Sequence, residues 1–333
     1  MLNLNAYIHA TATIVGQKEH DGPLSAHFDA YDTDGLDRFG QNTFERAEAE
    51  MQHRVVTHAL ARSGLTPSQI QLLLAGDLMN QCTSSAYGLL PFTIPYVGLY
   101  GACSTCAEGL LMGAAMVTAG FATHAVSVTS SHNAAAERQF RFPVEYGGQR
   151  PPTAQWTVTG AGAFVLGDKP QPHTLAHITA GVVGMVVDSG VNDANNMGAA
   201  MAPAAVSTLC RYFENSHTTP QDYDLIVTGD LGYEGGRILQ DLLLVEGYDI
   251  RKIYNDCGMM IFSQSTQDTH SGGSGCGCSA VVLGGYLLPK IQRGNISKML
   301  FLATGALMSP DAIKQGRSIP GVAHLLCLQP PQE

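Results

Sequence analysis

The sequence predicts an α/β protein built from two similar halves, residues 1–170 and 171–333. Apolar segments of strand length alternate with helical segments. The strands are apolar almost throughout, which is typical of parallel sheets that helices cover on both faces. Residues 66–78 also align without gaps to residues 219–231, and the two segments share threonine, proline, leucine and a terminal Gly-Asp-Leu. The repeat predicts a pseudo-twofold pair of halves.

The first predicted helix covers residues 44–62, and a strand over residues 71–75 follows it. Apolar residues recur at helical spacing and predict one buried face, formed by Phe44, Ala47, Met51, Val55 and Ala59. Asn42 and Glu45 resemble a capping box at the start of the helix. Gly64 suits the position just after its end.

Later segments of the two halves also correspond. In the first half, a strand over residues 95–100 leads through Gly101-Ala102-Cys103 into a small-residue helix, and a strand over 124–129 follows. In the second half, glycines within 272–276 precede a helix over 278–288 and a strand over 299–304. Residues 131–157 have no amphipathic period and predict a loop insertion, and a loop of that length is usually functional.

Composition excludes several classes of protein. Only 14% of the residues are charged, against about 25% in typical domains, so much of the surface should be buried within the chain or in an oligomer. A net charge of −10 argues against a general nucleic-acid-binding surface. Residues 109–128 approach the length of a membrane span, but Gly120 and Thr123-His124 divide them into a helix and a strand. Residues 1–16 predict no signal peptide, so we expect no signal peptide and no transmembrane helix.

The eight cysteines do not form the framework of a small disulfide-stabilised protein. Two residues separate Cys103 from Cys106, and a single residue separates Cys276 from Cys278. That spacing suits zinc poorly, so small buried cysteines are the better interpretation. We expect no metal site and no cofactor.

Three glycine-containing motifs resemble the thiolase and ketoacyl-synthase superfamily: Gly101-Ala102-Cys103-Ser104, residues 159–166 and residues 273–280. The resemblance covers nearly the whole chain. It implies a five-layered αβαβα fold, with two pseudo-twofold-related halves, that is usually a homodimer.

A closer resemblance rests on six further segments, which are residues 75–78, 129–134, 136–141, 145–149, 201–205 and 255–258. With these segments the chain is similar to the stage V sporulation protein AD family of spore-forming bacteria. The resemblance implies a protein of the forespore and spore that lies peripherally at the inner membrane. It would bind dipicolinic acid and help to move it into the forespore with other membrane proteins of the stage V sporulation A group.

Cys103 occupies the position of the superfamily's nucleophile. A cysteine at a helix N-terminus is expected to have a lowered pKa, which favours the thiolate. However, the histidine or asparagine partners of a condensing enzyme are not matched. Thr228-Gly229-Asp230 ends the second-half strand, and Ser274 or Gly275 replaces the expected Asn or His. His270, just upstream, is the nearby histidine that could restore the enzyme interpretation.

Dipicolinate is a planar pyridine dianion, so its site needs cationic or N–H donors and an apolar wall. Arg138 and Arg141 are the best anion partners, although each could instead form an ion pair with Glu137 or Glu145. His132 lies with Asn133 at a strand end, where open α/β sheets place ligands, although it could equally be a buried, hydrogen-bonded histidine.

Asp77 and Asp230 end the two related strands and could cap helices or contribute to the pocket. Calcium is expected only as a chelate with the ligand, and oxygen ligands would then suit it. Asn80 is a weaker candidate of the same kind, and Ser274 completes the predicted ligand-binding set.

Three hypotheses therefore remain open. The first is a non-catalytic binding protein for dipicolinic acid or its calcium chelate. The second is an active condensing enzyme that uses Cys103 and an acyl thioester. The third is a scaffold with an empty pocket.

Overall fold

The fold is built on one large mixed sheet in a computed structural model that describes residues 1–140 and 150–331. Its strands are β1 (Leu2–Val15), β2 (Ala30–Tyr31), β3 (Leu72–Gly76), β4 (Tyr96–Gly98), β5 (His124–Ser131), β7 (Gly160–Gly167), β8 (Ala176–Val182), β9 (Leu225–Thr228), β10 (Tyr254–Asp256), β12 (Met299–Ala306) and β13 (Gly321–Gln329). Two short strands, β6 (Trp156–Thr157) and β11 (Gly273–Ser274), pair separately.

Helices cover the sheet on both faces. In chain order they are α1 (Gln17–His20), α2 (Phe44–Ser63), α3 (Thr83–Leu89), α4 (Thr105–Thr118), α5 (Asn133–Phe140), α6 (Met197–Ser216), α7 (Gly232–Val245), α8 (Cys257–Ile261), α9 (Cys276–Val282), α10 (Leu288–Gln292) and α11 (Pro310–Lys314). A π-helical turn over Leu283–Leu287 joins α9 to α10. None of the helices within residues 1–140 and 150–331 is long and apolar enough to cross a membrane.

The same strand order occurs twice. From the middle of the sheet outward, the first set is β1-β7-β5-β3-β4 and the second set is β8-β13-β12-β9-β10. Antiparallel pairing of β1 with β8 joins the two sets into one sheet. Residues 170 and 171 lie between β7 and β8, that is, between the two sets of strands.

The two sets are stacked as layers through their helices. Helices α2 and α3 cover the outer face of the first set, and α6 and α7 cover the outer face of the second. Helix α4 packs against β1, β3 and β5 of the first set and against β12 and β13 of the second. The largest apolar core surrounds α4 and α9. The predicted αβαβα fold class is therefore confirmed.

The repeated segment adopts the same structure in both copies. Thr66 and Gln69 form a capping box around a short 3₁₀ turn, and Thr219 and Asp222 form another. Each turn leads directly into a strand of the sheet, β3 or β9. The sequence repeat therefore corresponds to a repeated structural unit.

Two local predictions were wrong. The first helix is capped by Thr43, whose side chain accepts a hydrogen bond from the Arg46 amide, and not by Asn42. Residues 131–157 are not a loop throughout, because Asn133–Phe140 forms α5. Three consecutive alanines favour a helix there without an amphipathic pattern. Gly64 ends α2 as predicted, with a φ of 68°.

Buried carboxyl groups are unusually frequent in the described core. Glu19 and Glu48 have side chains no more than 1% exposed. Burial raises the pKa of each of them to about 8. Ser130 donates its hydroxyl hydrogen to Glu48 at 2.8 Å, so the acid joins α2 to β5. At neutral pH these acids are protonated in the folded chain, and their unfolded forms are ionised.

We expect Glu48→Gln to flatten the dependence of stability on pH. The pKa of Glu48 is raised on folding, so its stabilising contribution is complete below about pH 4.5 and is lost as the pH rises through about 8. Between these limits the free energy of unfolding should fall by up to about 1.4 kcal/mol per pH unit from this residue. Urea unfolding at pH 5, 6, 7 and 8 measures the slope.

Glu50→Gln is the matched control, because Glu50 lies on the same helix in a partly exposed pair with Arg54. It should retain the steeper wild-type slope. Equal slopes in wild type and Glu48→Gln would contradict a proton held by Glu48.

Candidate functional site

Cys103 lies in a tight turn between β4 and α4. Ala102, just before it, has a φ of 51°, in the left-handed region. The Ser104 hydroxyl donates to the Gly101 carbonyl at 2.7 Å, and the Thr105 hydroxyl donates to the Ala102 carbonyl at 2.7 Å. A Cβ atom on Gly305 would lie 2.1 Å from the Gly101 carbonyl oxygen. Strand β12 can therefore pack this closely against the turn only with glycine at position 305. The turn therefore holds Cys103 where the two halves meet.

A cleft opens beside this turn; we call it the Cys103 cleft. Both halves and α5 contribute to its wall. Apolar side chains dominate the lining: Leu78, Tyr100, Ala136, Phe140, Met197 and Met308. The polar lining residues are Cys103, Glu137, Thr157 and Ser274. Its apolar lining with a few polar groups is typical of a small-molecule site.

Asp230 organises the polar side of the cleft. Its carboxylate accepts hydrogen bonds from the Gly275 amide at 3.0 Å, the Thr304 hydroxyl at 2.8 Å and the Ser274 hydroxyl at 3.1 Å. Ser274 Oγ in turn lies 3.8 Å from Cys103 Sγ. The predicted candidates Cys103, Asp230 and Ser274 are thus brought together.

The chain segment after Asp230 is fixed by a second buried acid, Asp256. Its carboxylate accepts from the Leu231 amide at 2.8 Å, the Gly232 amide at 2.9 Å and the Thr228 hydroxyl at 2.7 Å. Burial raises the pKa of Asp256 to about 7. Asp256 therefore positions the segment that carries Asp230.

The electrostatics of Cys103 differ from the sequence-based expectation of a lowered pKa. Burial raises the pKa of the thiol well above its ordinary value, and the neighbouring Asp230 charge raises it further. Burial also raises the pKa of Asp230. The helix dipole was expected to favour the thiolate, but Cys103 is 5% exposed and lies beside an acid. The protonated thiol is the stable form in this structure.

His132 and Asn133 are placed beside the cleft and do not line it. His132 is 1% exposed, its Nε2 donates to the Asp37 carbonyl at 2.7 Å, and burial lowers its pKa. Asn133 donates its side-chain amide to the Thr157 carbonyl at 3.1 Å, at the start of α5. Both side chains anchor the segment that leads into α5.

Arg138 lies on the outer side of α5. Its guanidinium pairs with Glu45 and lies 5.6 Å from the centre of the Phe44 ring, so it does not line the cleft. This partner lies on α2, whereas the sequence analysis named Glu137 and Glu145 as the possible ion-pair partners. Arg141, the other predicted anion partner, lies outside the described residues.

Asp77 and Asn80 also lie away from the lining. Asp77 accepts from the Ser85 amide at 2.8 Å and the Ser85 hydroxyl at 2.6 Å, in a capping role near the start of α3. The Asn80 side chain accepts from the Gln139 amide at 2.7 Å. His270, the histidine that could have restored a catalytic set, pairs with Asp268 at 3.3 Å and does not line the cleft.

Sequence reasoning missed several residues of the site. Tyr100 and Thr157 line the cleft, and Thr304 holds Asp230. Tyr100 directly precedes Gly101-Ala102-Cys103 and Thr304 ends a predicted strand, so proximity to recognised motifs was an available signal. Phe140 also lies within a recognised segment, residues 136–141, but the sequence did not show that α5 directs its side chain into the cleft.

Comparison with known proteins identifies the family. The sequence profile of stage V sporulation protein AD (SpoVAD) matches residues 1–329. Stage V sporulation protein AD of Bacillus subtilis strain 168 is 43% identical over 319 residues, which are 96% of this chain and 92% of that protein.

The chain belongs to the SpoVAD family. Its function therefore lies in stage V of sporulation, and the family is named for sporulation and not for an enzymatic reaction.

Solved structures show the same fold at low sequence identity. The 3-oxoacyl-[acyl-carrier-protein] synthase III from Aquifex aeolicus VF5 superposes with a TM-score of 0.58 at 11% identity, covering 97% of this chain and 99% of that one. Xanthomonas campestris OleA with bound cerulenin gives 0.60 at 14% identity, covering 99% and 98%. The SpoVAD chain thus has a thiolase-like fold.

We expect Asp230→Asn to make Cys103 more reactive toward iodoacetamide at pH 8.5. Removing the negative charge beside the thiol lowers its pKa, so the thiolate that reacts becomes more abundant. The alkylation rate, followed by mass spectrometry of the Cys103 peptide, should rise roughly three- to tenfold.

Asp77→Asn is the matched control, since it neutralises the related strand-end acid of the other half. It should leave the Cys103 rate near wild type. An unchanged rate in folded Asp230→Asn would show that Asp230 does not set the ionisation of this thiol.

Proposed function

We propose that this SpoVAD chain binds dipicolinic acid in the Cys103 cleft and supports its uptake into the forespore. The observation that carries the proposal is the cleft between the two halves, at the position where the thiolase and ketoacyl-synthase superfamily has its nucleophile. The cysteine of this cleft is protonated and lies beside an acid. Such a site can hold a ligand but is poorly suited to nucleophilic attack.

The shape and chemistry of the cleft suit a planar aromatic ligand. Tyr100 and Phe140 provide aromatic wall, and Leu78 and Met308 add apolar surface. A pyridine ring can pack against such side chains. On the other side, the Ser274 hydroxyl donates to Asp230 and the Thr157 hydroxyl donates to Glu137, so both oxygens remain acceptors that can contact a bound cation.

Charge favours the calcium chelate over the free dianion. Glu137 lies in the lining, Asp230 lies behind Ser274, and no lysine or arginine occurs in the described part of the lining. A free dianion would be repelled by the Asp230 carboxylate. A one-to-one chelate with calcium is neutral, and carboxylate oxygens are good calcium ligands.

The proposed assembly is a homodimer at the inner membrane, with partners from the stage V sporulation A group. The edge strand β4 is exposed, with Tyr96 and Val97 each 42% accessible, and Tyr87 and Leu90 extend the apolar surface beside it. An exposed edge strand invites pairing with another strand. We propose that the β4 edges of two copies pair.

The binding proposal is tested by isothermal titration with dipicolinate, with and without calcium, and with pyridine-2,4-dicarboxylate as the isomer control. We expect saturable binding that prefers the 2,6-isomer and is strengthened by calcium, because the chelate removes the repulsion from the neighbouring acids. A folded protein that gives no heat, or that binds both isomers equally, would contradict the proposal.

Phe140→Ala should weaken binding about tenfold, since it removes part of the aromatic wall. Arg138→Ala is the matched control on the same helix, because its side chain points away and pairs with Glu45. If Arg138→Ala loses affinity and Phe140→Ala does not, the ligand does not bind in the Cys103 cleft. Wild-type affinity in both variants would lead to the same conclusion.

The second candidate function is an acyl-transfer enzyme. The thiolase-like fold and the position of Cys103 favour it. Incubation with acetyl-CoA or malonyl-CoA, followed by mass spectrometry, distinguishes the two functions. We expect no stable adduct on Cys103, because the thiol is protonated. An adduct that disappears in Cys103→Ser would support the enzyme.

A further inference from the structure

A second cleft lies apart from Cys103, between strand β1, helix α2 and helix α10. Its cavity volume is about 250 Å³, and we call it the His9 cleft after one of its lining residues. Its polar lining residues are His9, Thr11, His27, Asp29, Arg62, His173 and Gln292. It shares no lining residue with the Cys103 cleft.

Two backbone irregularities shape this cleft. The pairing of β1 with β7 shifts register between Ile8 and Ala10, so His9 lies in a β-bulge. Across the cleft, Gly284 and Gly285 lie in the π-helical turn. Bulges and single π-turns are both common beside functional sites, where they redirect side chains.

Two polar side-chain atoms that line the cleft lack hydrogen-bond partners within residues 1–140 and 150–331. They belong to His9, which is 5% exposed, and Thr11, which is 8% exposed. The Nε2 of His9 donates to the Lys169 carbonyl at 2.8 Å, so Nδ1 of the neutral ring can only accept. His9 Nδ1 and Thr11 Oγ1 are both left unsatisfied. Buried polar groups normally have partners, and a molecule bound in this cleft would supply them for both atoms.

The guanidinium of Arg62 provides the rim of the His9 cleft with hydrogen-bond donors for an anionic group. The guanidinium is held by the Thr11 carbonyl at 2.8 Å and by Asp29 at 2.7 Å, which leaves further N–H donors on the same group. Asp29 is already occupied, because its other oxygen accepts from the Thr13 amide at 2.8 Å. The rim can therefore bind a carboxylate, and the floor requires a hydroxyl or N–H donor.

We propose that the His9 cleft binds a small hydroxy acid, with its hydroxyl group donating to His9 Nδ1 and its carboxylate facing Arg62. Thr11 Oγ1 accepts from or donates to a second hydroxyl of the same ligand. This site is independent of the proposed dipicolinate site, so either can fail without the other.

Isothermal titration with sodium gluconate tests the proposal, and hexanoate is the probe of equal chain length without hydroxyl groups. We expect saturable binding of gluconate and at least about tenfold weaker binding of hexanoate. Equal affinity for the two probes, or no saturable heat with gluconate, would overturn the proposal.

Thr11→Val removes the hydroxyl group at nearly constant volume and should weaken gluconate binding about tenfold. Thr57→Val, at an exposed position of α2, is the matched control and should bind like wild type. Unchanged binding in Thr11→Val would overturn the assigned contact.

A readout on the wild-type chain does not depend on the folding of a variant. In ¹⁵N-histidine spectra, gluconate should shift the Nδ1 resonance of His9, because that nitrogen gains a hydrogen bond. A crystal soaked in gluconate that shows only a water between His9 and Thr11, with no shift in solution, would overturn the proposal.

Discussion

The hydrogen bonds of the Asp230 carboxylate hold the Cys103 cleft together. One acid joins the end of β9 to the Gly275 amide before α9 and to Thr304 on β12, and Ser274 completes the set. These three segments are far apart in the sequence. Without a buried acceptor they would leave several donors unsatisfied, at a cost of about 1–3 kcal/mol each. Burial raises the pKa of Cys103 and the same carboxylate raises it further, so one residue contributes to both the geometry and the reactivity of the cleft.

The aspartates at equivalent strand ends of the two halves, Asp77 and Asp230, have different roles. Asp77 is bound to Ser85 and to the Met79 amide, so its hydrogen bonds stay within the first half. Asp230 faces the junction between the halves, beside a cysteine that belongs to the other half. The duplicated backbone therefore supplies two equivalent positions, and only the one at the junction contributes to the cleft. Pseudo-symmetry of fold does not extend to the chemistry of the site.

Much of the fold followed from the sequence. The Gly-Asp-Leu repeat located equivalent strands in both halves, and the periodicity of residues 44–62 matched α2, because long periodic segments carry a clear physical signal. The extent of α5 did not follow, since an alanine run inside residues 131–157 has no apolar stripe. The extent of β4 was also overestimated, because only three of its predicted six residues form the strand.

The site was predicted less completely, for a physical reason. Motifs located Cys103, Asp230 and Ser274, which lie at turns whose backbone requirements are visible in the sequence. Side-chain direction decided the rest. Arg138 and Phe140 are two residues apart on one helix, yet the arginine pairs with Glu45 and the phenylalanine lines the cleft. Composition and spacing do not reveal which side of a short helix faces inward. The thiol's raised pKa likewise depends on burial that only the folded chain shows.

The position of α4 has a consequence for folding. This helix is flanked by both sets of strands, and residues such as Leu110 and Leu111 are no more than 1% exposed. A chain that had made only its first half would leave one side of α4 without a partner. That side would expose apolar surface until the second half arrived. The halves therefore form a single cooperative unit, and during synthesis the first half must wait for residues that emerge more than a hundred positions later.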